Sequence, residues 1–195
     1  MCIRDSIQAV DCHGVGIGAF INSNYIIGRG YVENCGFATS YPGFDLNSSK
    51  YGIYDIVSRN CFAGGRILDN CWGNNVRLSV HNATADGFIY NNQTVNQSHT
   101  NVVDVTVHTC GQHGINIGPN CKNSHIRGTV ISATGYGCLI SGSSGNTAFG
   151  NTLNIATNSG QIAGLFVGEF STDNIIEHVS TLDGRAGACL LYTSD

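Results

Sequence analysis

Four residues in the middle of the chain carry acid–base chemistry at a fixed interval. His81 and His108 each stand seven residues past an asparagine, Asn74 and Asn101, while Asp86 and His113 each stand twelve past the same two anchors. An imidazole titrates near neutrality, and a carboxylate one structural repeat away can orient it or share a metal with it. His113, Asp86, His108 and His81 are therefore the candidate catalytic residues, with ordinary polarity around a turn as the alternative. A second set of polar residues stands three past successive anchors: Arg77, Asp104, Arg127, Asn154 and Glu177. Opposite charges on neighbouring strands form either a solvated ladder or a face for saccharide, with Arg77, Asp104 and Arg127 as the binding residues. Aromatic residues form a third set, concentrated in the first third of the chain. Sugar rings stack on such faces, so Tyr41 and Phe44, in an irregular stretch near 37–54, are candidate substrate contacts; inward stacking is the alternative.

These spacings belong to an internal repeat. Gly87, Gly114, Gly137, Gly164 and Gly187 follow one another at 27, 23, 27 and 23 residues, each thirteen residues after Asn74, Asn101, Ser124, Asn151 and Asn174. After each anchor comes a short alternating stretch such as Val76-Arg77-Leu78-Ser79-Val80 or Val103-Asp104-Val105-Thr106-Val107. Alternation with period two predicts strands with one face in and one face out. Upstream, Val10-Asp11-Cys12-His13-Gly14, Val32-Glu33-Asn34-Cys35-Gly36 and Val57-Ser58-Arg59-Asn60-Cys61 repeat more loosely. The pattern lapses between about 38 and 50, which predicts a loop inserted in one repeat.

Composition agrees with short strands and many turns. Among 195 residues there are 26 Gly and 2 Pro, with 42% hydrophobic but only 11% charged residues. That argues against a helical bundle and against a charged disordered tail. A net charge of −4 leaves no basic footprint for nucleic acid. No apolar run is long enough for a membrane-spanning helix.

Repeats of 22–27 residues without a helical period describe coils of a solenoid. The leucine ladder of leucine-rich repeats is missing. The pattern resembles the right-handed parallel β-helix of the pectate-lyase-like superfamily over most of residues 7–188. The expected fold is all-β, with about seven to eight rungs and with the anchor Asn residues stacked at turns in left-handed φ. The resemblance implies a polysaccharide partner, acted on by a lyase, a glycoside hydrolase or a phage tail-spike-like depolymerase. It also implies an extracellular or virion-surface setting, and a homotrimer for the full-length protein. Gln112-His113-Gly114 is similar to the Gly-His-Gly of polygalacturonase-like hydrolases, although Gln replaces the first Gly and that family's facing carboxylates have no counterpart here. The rival from another class is a non-catalytic shaft or adhesin, whose rungs serve length and stiffness. No cofactor is implied, and no C-x-x-C pair supports a zinc site.

The two ends are read separately. Met1-Cys2-Ile3-Arg4-Asp5 and Cys189–Asp195 resemble translations, in opposite senses, of one transposon end used in sequencing libraries. Residues 1–5 and 189–195 are thus expected to be adapter-derived tails flanking a β-helix at 6–188, an uncapped fragment of a longer protein. Of the 9 Cys, Cys2 and Cys189 fall in these tails, leaving seven. Cys12, Cys35, Cys61 and Cys110 hold equivalent places after an inward Val, which predicts free thiols stacked in the core, with disulfides between rungs as the alternative.

Overall fold

A computed structural model describes the chain except residues 1–5, 21–22, 38–39, 92–97, 143–146, 159–161, 181–187 and 191–195, with backbone alone at 178–180 and 188–190. Every strand pairs in parallel with the strand one repeat away. The first sheet has eight strands: Ser6–Val10, Ile27–Glu33, Ile53–Arg59, Asn75–His81, Val102–Val107, His125–Val130, Thr152–Thr157 and Ile175–Ser180. The second also has eight: Ile17–Phe20, Pro42–Asn47, Ala63–Leu68, Phe88–Tyr90, Ile115–Ile117, Cys138–Ile140, Leu165–Val167 and Ala188–Leu190. A third, narrow sheet joins Ser98–His99, Cys121–Lys122, Ala148–Phe149 and Ser171–Thr172, and single bridges at Asn24, Lys50 and Trp72 extend it. The chain thus winds through three faces in turn, giving a right-handed parallel β-solenoid of about seven turns.

The alternation seen in the sequence becomes the wall of this solenoid. Val76, Leu78 and Val80 point inward and are buried, as are Val103, Val105 and Val107 on the next turn, while Arg77 and Asp104 face out. The second sheet closes the core from the other side with Phe88, Tyr90, Ile115, Ile117, Cys138 and Ile140. The recurring glycines stand just before it. A side chain on Gly114 would place its Cβ 2.5 Å from the Gly137 carbonyl oxygen and against Val130, so this column is closed to anything larger than hydrogen.

Corners explain the asparagines, with one correction. Tyr25, Tyr51, Gly73, Thr100, Asn123, Gly150 and Asp173 all have φ between 48° and 67°, one per turn, at the corner that leads into the first sheet. The left-handed residue is the one before the anchor, and Asn74, Asn101, Ser124 and Asn151 follow it with their side chains turned inside, fully or almost fully buried. Asn101 Oδ1 accepts hydrogen bonds from the backbone N–H and the side-chain amide of Asn74, and Asn174 Oδ1 serves Asn151 in the same way. The amide of Asn101 donates to the Cys71 carbonyl and to the Tyr90 hydroxyl. A buried ladder like this leaves few corner groups unpaired.

The expected loop insertion does not occur at 42–47. Pro42–Asn47 is a second-sheet strand between Ile17–Phe20 and Ala63–Leu68, and Phe44 and Leu46 are fully buried. Proline and a buried Asp45 hid the alternation there. The last strand, Ala188–Leu190, pairs with Leu165–Val167 and so crosses the expected boundary at 189. Seven cysteines, Cys12, Cys35, Cys61, Cys71, Cys110, Cys121 and Cys138, are free thiols, and all but Cys12 are buried. Among the described residues no helix is long and apolar enough to cross a membrane.

Candidate functional site

The outer face of the first sheet gathers the charged column. Strand register places Arg29, Asp55, Arg77, Asp104, Arg127, Asn154 and Glu177 side by side on seven successive turns. Inward Val and Leu neighbours fix which side each strand shows, so the packing of the core is what holds this column outward. An open groove of about 510 Å³ runs over its later half, lined by Arg77, Asp104, His125, Arg127, Asn154 and Glu177 among others. A second groove of about 260 Å³ covers the earlier half near Arg29, Asp55 and Arg77.

Pairing along the column is uneven. Arg29 meets Asp55 at 3.9 Å, and the Asn154 amide donates to Glu177 at 3.0 Å. Between them Arg77, Asp104 and Arg127 stand one strand apart, and among the described residues none of the three is ion-paired. Arg77 and Arg127 are thus two exposed arginines on strands about 9–10 Å apart along the axis, with Asp104 on the strand between them. The three residues expected to bind saccharide do share one groove. His125 belongs to it as well, one column toward the strand starts beside Val102 and Thr152, in a column of mixed residues with no repeated charge to mark it. Arg29 and Asp55 extend the ladder through the stretch where the upstream repeat was too loose to read.

The His/Asp set does not come together as one constellation. His81 and His108 stack, with ring centroids 4.0 Å apart and planes 14° from parallel, and His81 Nε2 lies 3.2 Å from the Ser79 hydroxyl. Partial burial, the neighbouring His108 and then Arg59 lower the pKa of His81. Asp86 is occupied elsewhere. Its Oδ1 accepts the backbone N–H of His113 at 2.9 Å and its Oδ2 accepts the Asn116 amide at 2.9 Å, so no carboxylate–imidazole pair forms. His113 repeats the device one turn on: its Nδ1 accepts the Tyr136 N–H at 3.1 Å, which leaves a neutral ring's proton on Nε2. His113, Tyr136 and Phe166 then stack in a row. Asp86 and His113 are turn acceptors that hold successive coils in register. No group of three or more His, Cys, Asp or Glu among the described residues is arranged to hold a metal.

Tyr41 and Phe44 part company. Phe44 is fully buried against Tyr54, since its strand position points inward, and so cannot face a ligand. Tyr41 is 44% exposed and lies over the Arg66 guanidinium, 5.5 Å from ring centroid to Cζ. Arg66 in turn grips Asp45 through both carboxylate oxygens, at 3.1 and 2.6 Å. Burial raises the pKa of Asp45 while Arg66 pulls it down. This pair escaped sequence reasoning because Asp45 sits in the strand expected to be a loop, which hid its register with Arg66 on the next strand.

No protein-family model, no curated protein and no solved structure matches the chain.

Proposed function

We propose that this stretch of solenoid binds an acidic polysaccharide laid along the first-sheet groove. One observation carries the reading: Arg77 and Arg127 flank Asp104 in an open groove, and none of the three is ion-paired among the described residues. Guanidinium groups present a fork of N–H donors matched to carboxylate or sulfate, and two of them at a two-strand interval suit groups repeated along a chain. Asp104, Asn154 and Glu177 supply acceptors for hydroxyl groups between the charges. A regular scaffold also suits a polymer better than a compact ligand, because each turn repeats the same geometry.

Outside the groove, the Asp86/His113 set adds no support for bond cleavage. Both oxygens of Asp86 accept donors within the protein, and His113 Nδ1 accepts a backbone N–H, so the two serve as turn acceptors and form no carboxylate–imidazole pair at that level. A shaft or adhesin segment that holds glycan is the functional class this favours. Electrophoresis through gels containing polygalacturonate, alginate or neutral xylan tests it directly. Retardation in an acidic gel that fades with added salt is expected; equal mobility in all three gels and in a blank would remove the proposal.

A further inference from the structure

A different face carries a row of rings, Tyr25 and Tyr51 exposed and Trp72 and His99 half-buried. On the third face Asn24, Lys50, Trp72 and His99 are bridged in sequence, one per turn. Tyr25 stacks on Tyr51 with centroids 5.2 Å apart, Tyr51 meets Trp72 edge-on at 4.7 Å, and Trp72 stacks on His99 at 5.6 Å. Tyr25 is 67% and Tyr51 42% exposed, and the Lys50 ammonium lies 5.0 Å from the Trp72 ring centroid. Four rings over four turns make a ribbon about 14 Å long at strand spacing, parallel to the solenoid axis.

Residue size at the corner sets the two tyrosines apart from the later turns. Tyr25 and Tyr51 have φ of 57° and 56°, in the left-handed region that a bulky residue rarely adopts. The same corner uses Gly73, Thr100, Asn123, Gly150 and Asp173 on later turns, and all but Thr100 accept this conformation with less strain. Two adjacent tyrosines thus put large rings where every later described turn has a smaller residue. Gly73 completes the arrangement: a Cβ there would come within 2.8 Å of Tyr51 Cδ1, so its absence lets the Tyr51 ring lean toward Trp72.

We infer that the Tyr25–Tyr51–Trp72–His99 ribbon is a second glycan-binding site, taking an extended chain whose pyranose faces lie on the rings, with Lys50 donating to a hydroxyl or carboxylate at the ribbon's edge. Successive rings one strand apart match the advance of successive sugar residues, and an aromatic face takes the C–H face of a pyranose without needing charge. The site does not depend on the first-sheet groove, which lies round the corner and works through arginine.

The chain's 1 Trp is Trp72, which makes the site self-reporting. The full chain is titrated with xylohexaose and with hexagalacturonate while indole emission is followed. A saturable change with either sugar is expected, weakened about tenfold or more by Tyr25→Gly and by Tyr51→Gly. Glycine removes the ring yet relieves the left-handed strain, so both variants should retain their circular dichroism and melting temperature. The Arg77→Ala/Arg127→Ala double variant should leave the emission change intact, which separates this site from the groove. No emission change with either sugar, or a change that survives Tyr51→Gly in a folded protein, overturns the inference.

Discussion

Asn101 Oδ1 holds the backbone N–H and the side-chain amide of Asn74 at once, at 3.1 and 3.0 Å, and both residues are buried. This one oxygen ties two turns of the solenoid at the corner that positions the charged column. Replacing Asn101 with Ala strands the Asn74 N–H inside the protein and removes donors from the Cys71 carbonyl and the Tyr90 hydroxyl. Each stranded buried group costs about 1–3 kcal/mol, so Asn101→Ala should lose roughly 2–4 kcal/mol in urea denaturation. Asn154→Ala, on the exposed face, should stay within about 0.5 kcal/mol of the parent.

Gly114→Ala tests the glycine column. Its new Cβ would meet the Gly137 carbonyl and Val130, both part of the next turn's wall, so the turns must move apart. Overpacking of this kind costs about 1–3 kcal/mol, and a melting temperature equal to the parent's would contradict the close approach.

The pH dependence follows from His81. Its folded pKa lies below the ordinary value of 6.5 because of burial, His108 and Arg59, so the unfolded chain takes up the proton first on acidification. The contribution of His81 to stability is complete above about pH 6.5 and is lost as pH falls through its lower folded value. Urea midpoints measured from pH 8 to pH 5 should fall less steeply for His81→Gln than for the parent. Parallel curves would show that the stacked imidazoles do not perturb each other.

Among the seven described cysteines, thiol reactivity should single out one. Burial pushes Cys71 and Cys138 up to about 12 and Cys110 up to about 11, and raises Cys121 well above the ordinary thiol value. Thiolate is scarce at such sites at pH 8, whereas Cys12 is only partly buried. Brief alkylation of the native protein, mapped by mass spectrometry, should modify Cys12 and spare Cys71, Cys110, Cys121 and Cys138 until denaturant is added. Equal labelling of Cys12 and Cys121 would contradict the packing.

The architecture was legible because a solenoid writes its geometry once per turn. Asn74, Asn101, Ser124, Asn151 and Asn174 announce one corner, and the Arg77–Asp104–Arg127 column could be aligned from that anchor alone. Legibility failed where a turn departed from the repeat. Pro42 and Asp45 masked a strand, and with it the Arg66–Asp45 pair and the inward direction of Phe44. Spacing put Asp86 and His113 in one column correctly. What spacing cannot say is which atoms face each other, and the carboxylate chose the backbone N–H over the ring. The ring row was hard to read from spacing for a related reason: Tyr25 and Tyr51 sit in one column and Trp72 and His99 in the next, yet the Tyr51 and Trp72 rings meet across them.

The central claim is that Arg77 and Arg127 together hold an acidic glycan. Calorimetric titration of polygalacturonate oligomers into the parent and the Arg77→Ala/Arg127→Ala variant tests it most directly. Charge-assisted hydrogen bonds contribute about 1.5–3 kcal/mol each, so the double variant should bind at least about a hundredfold more weakly, with its melting temperature unchanged. Equal affinity in the two proteins, or no binding heat from the parent, would contradict it.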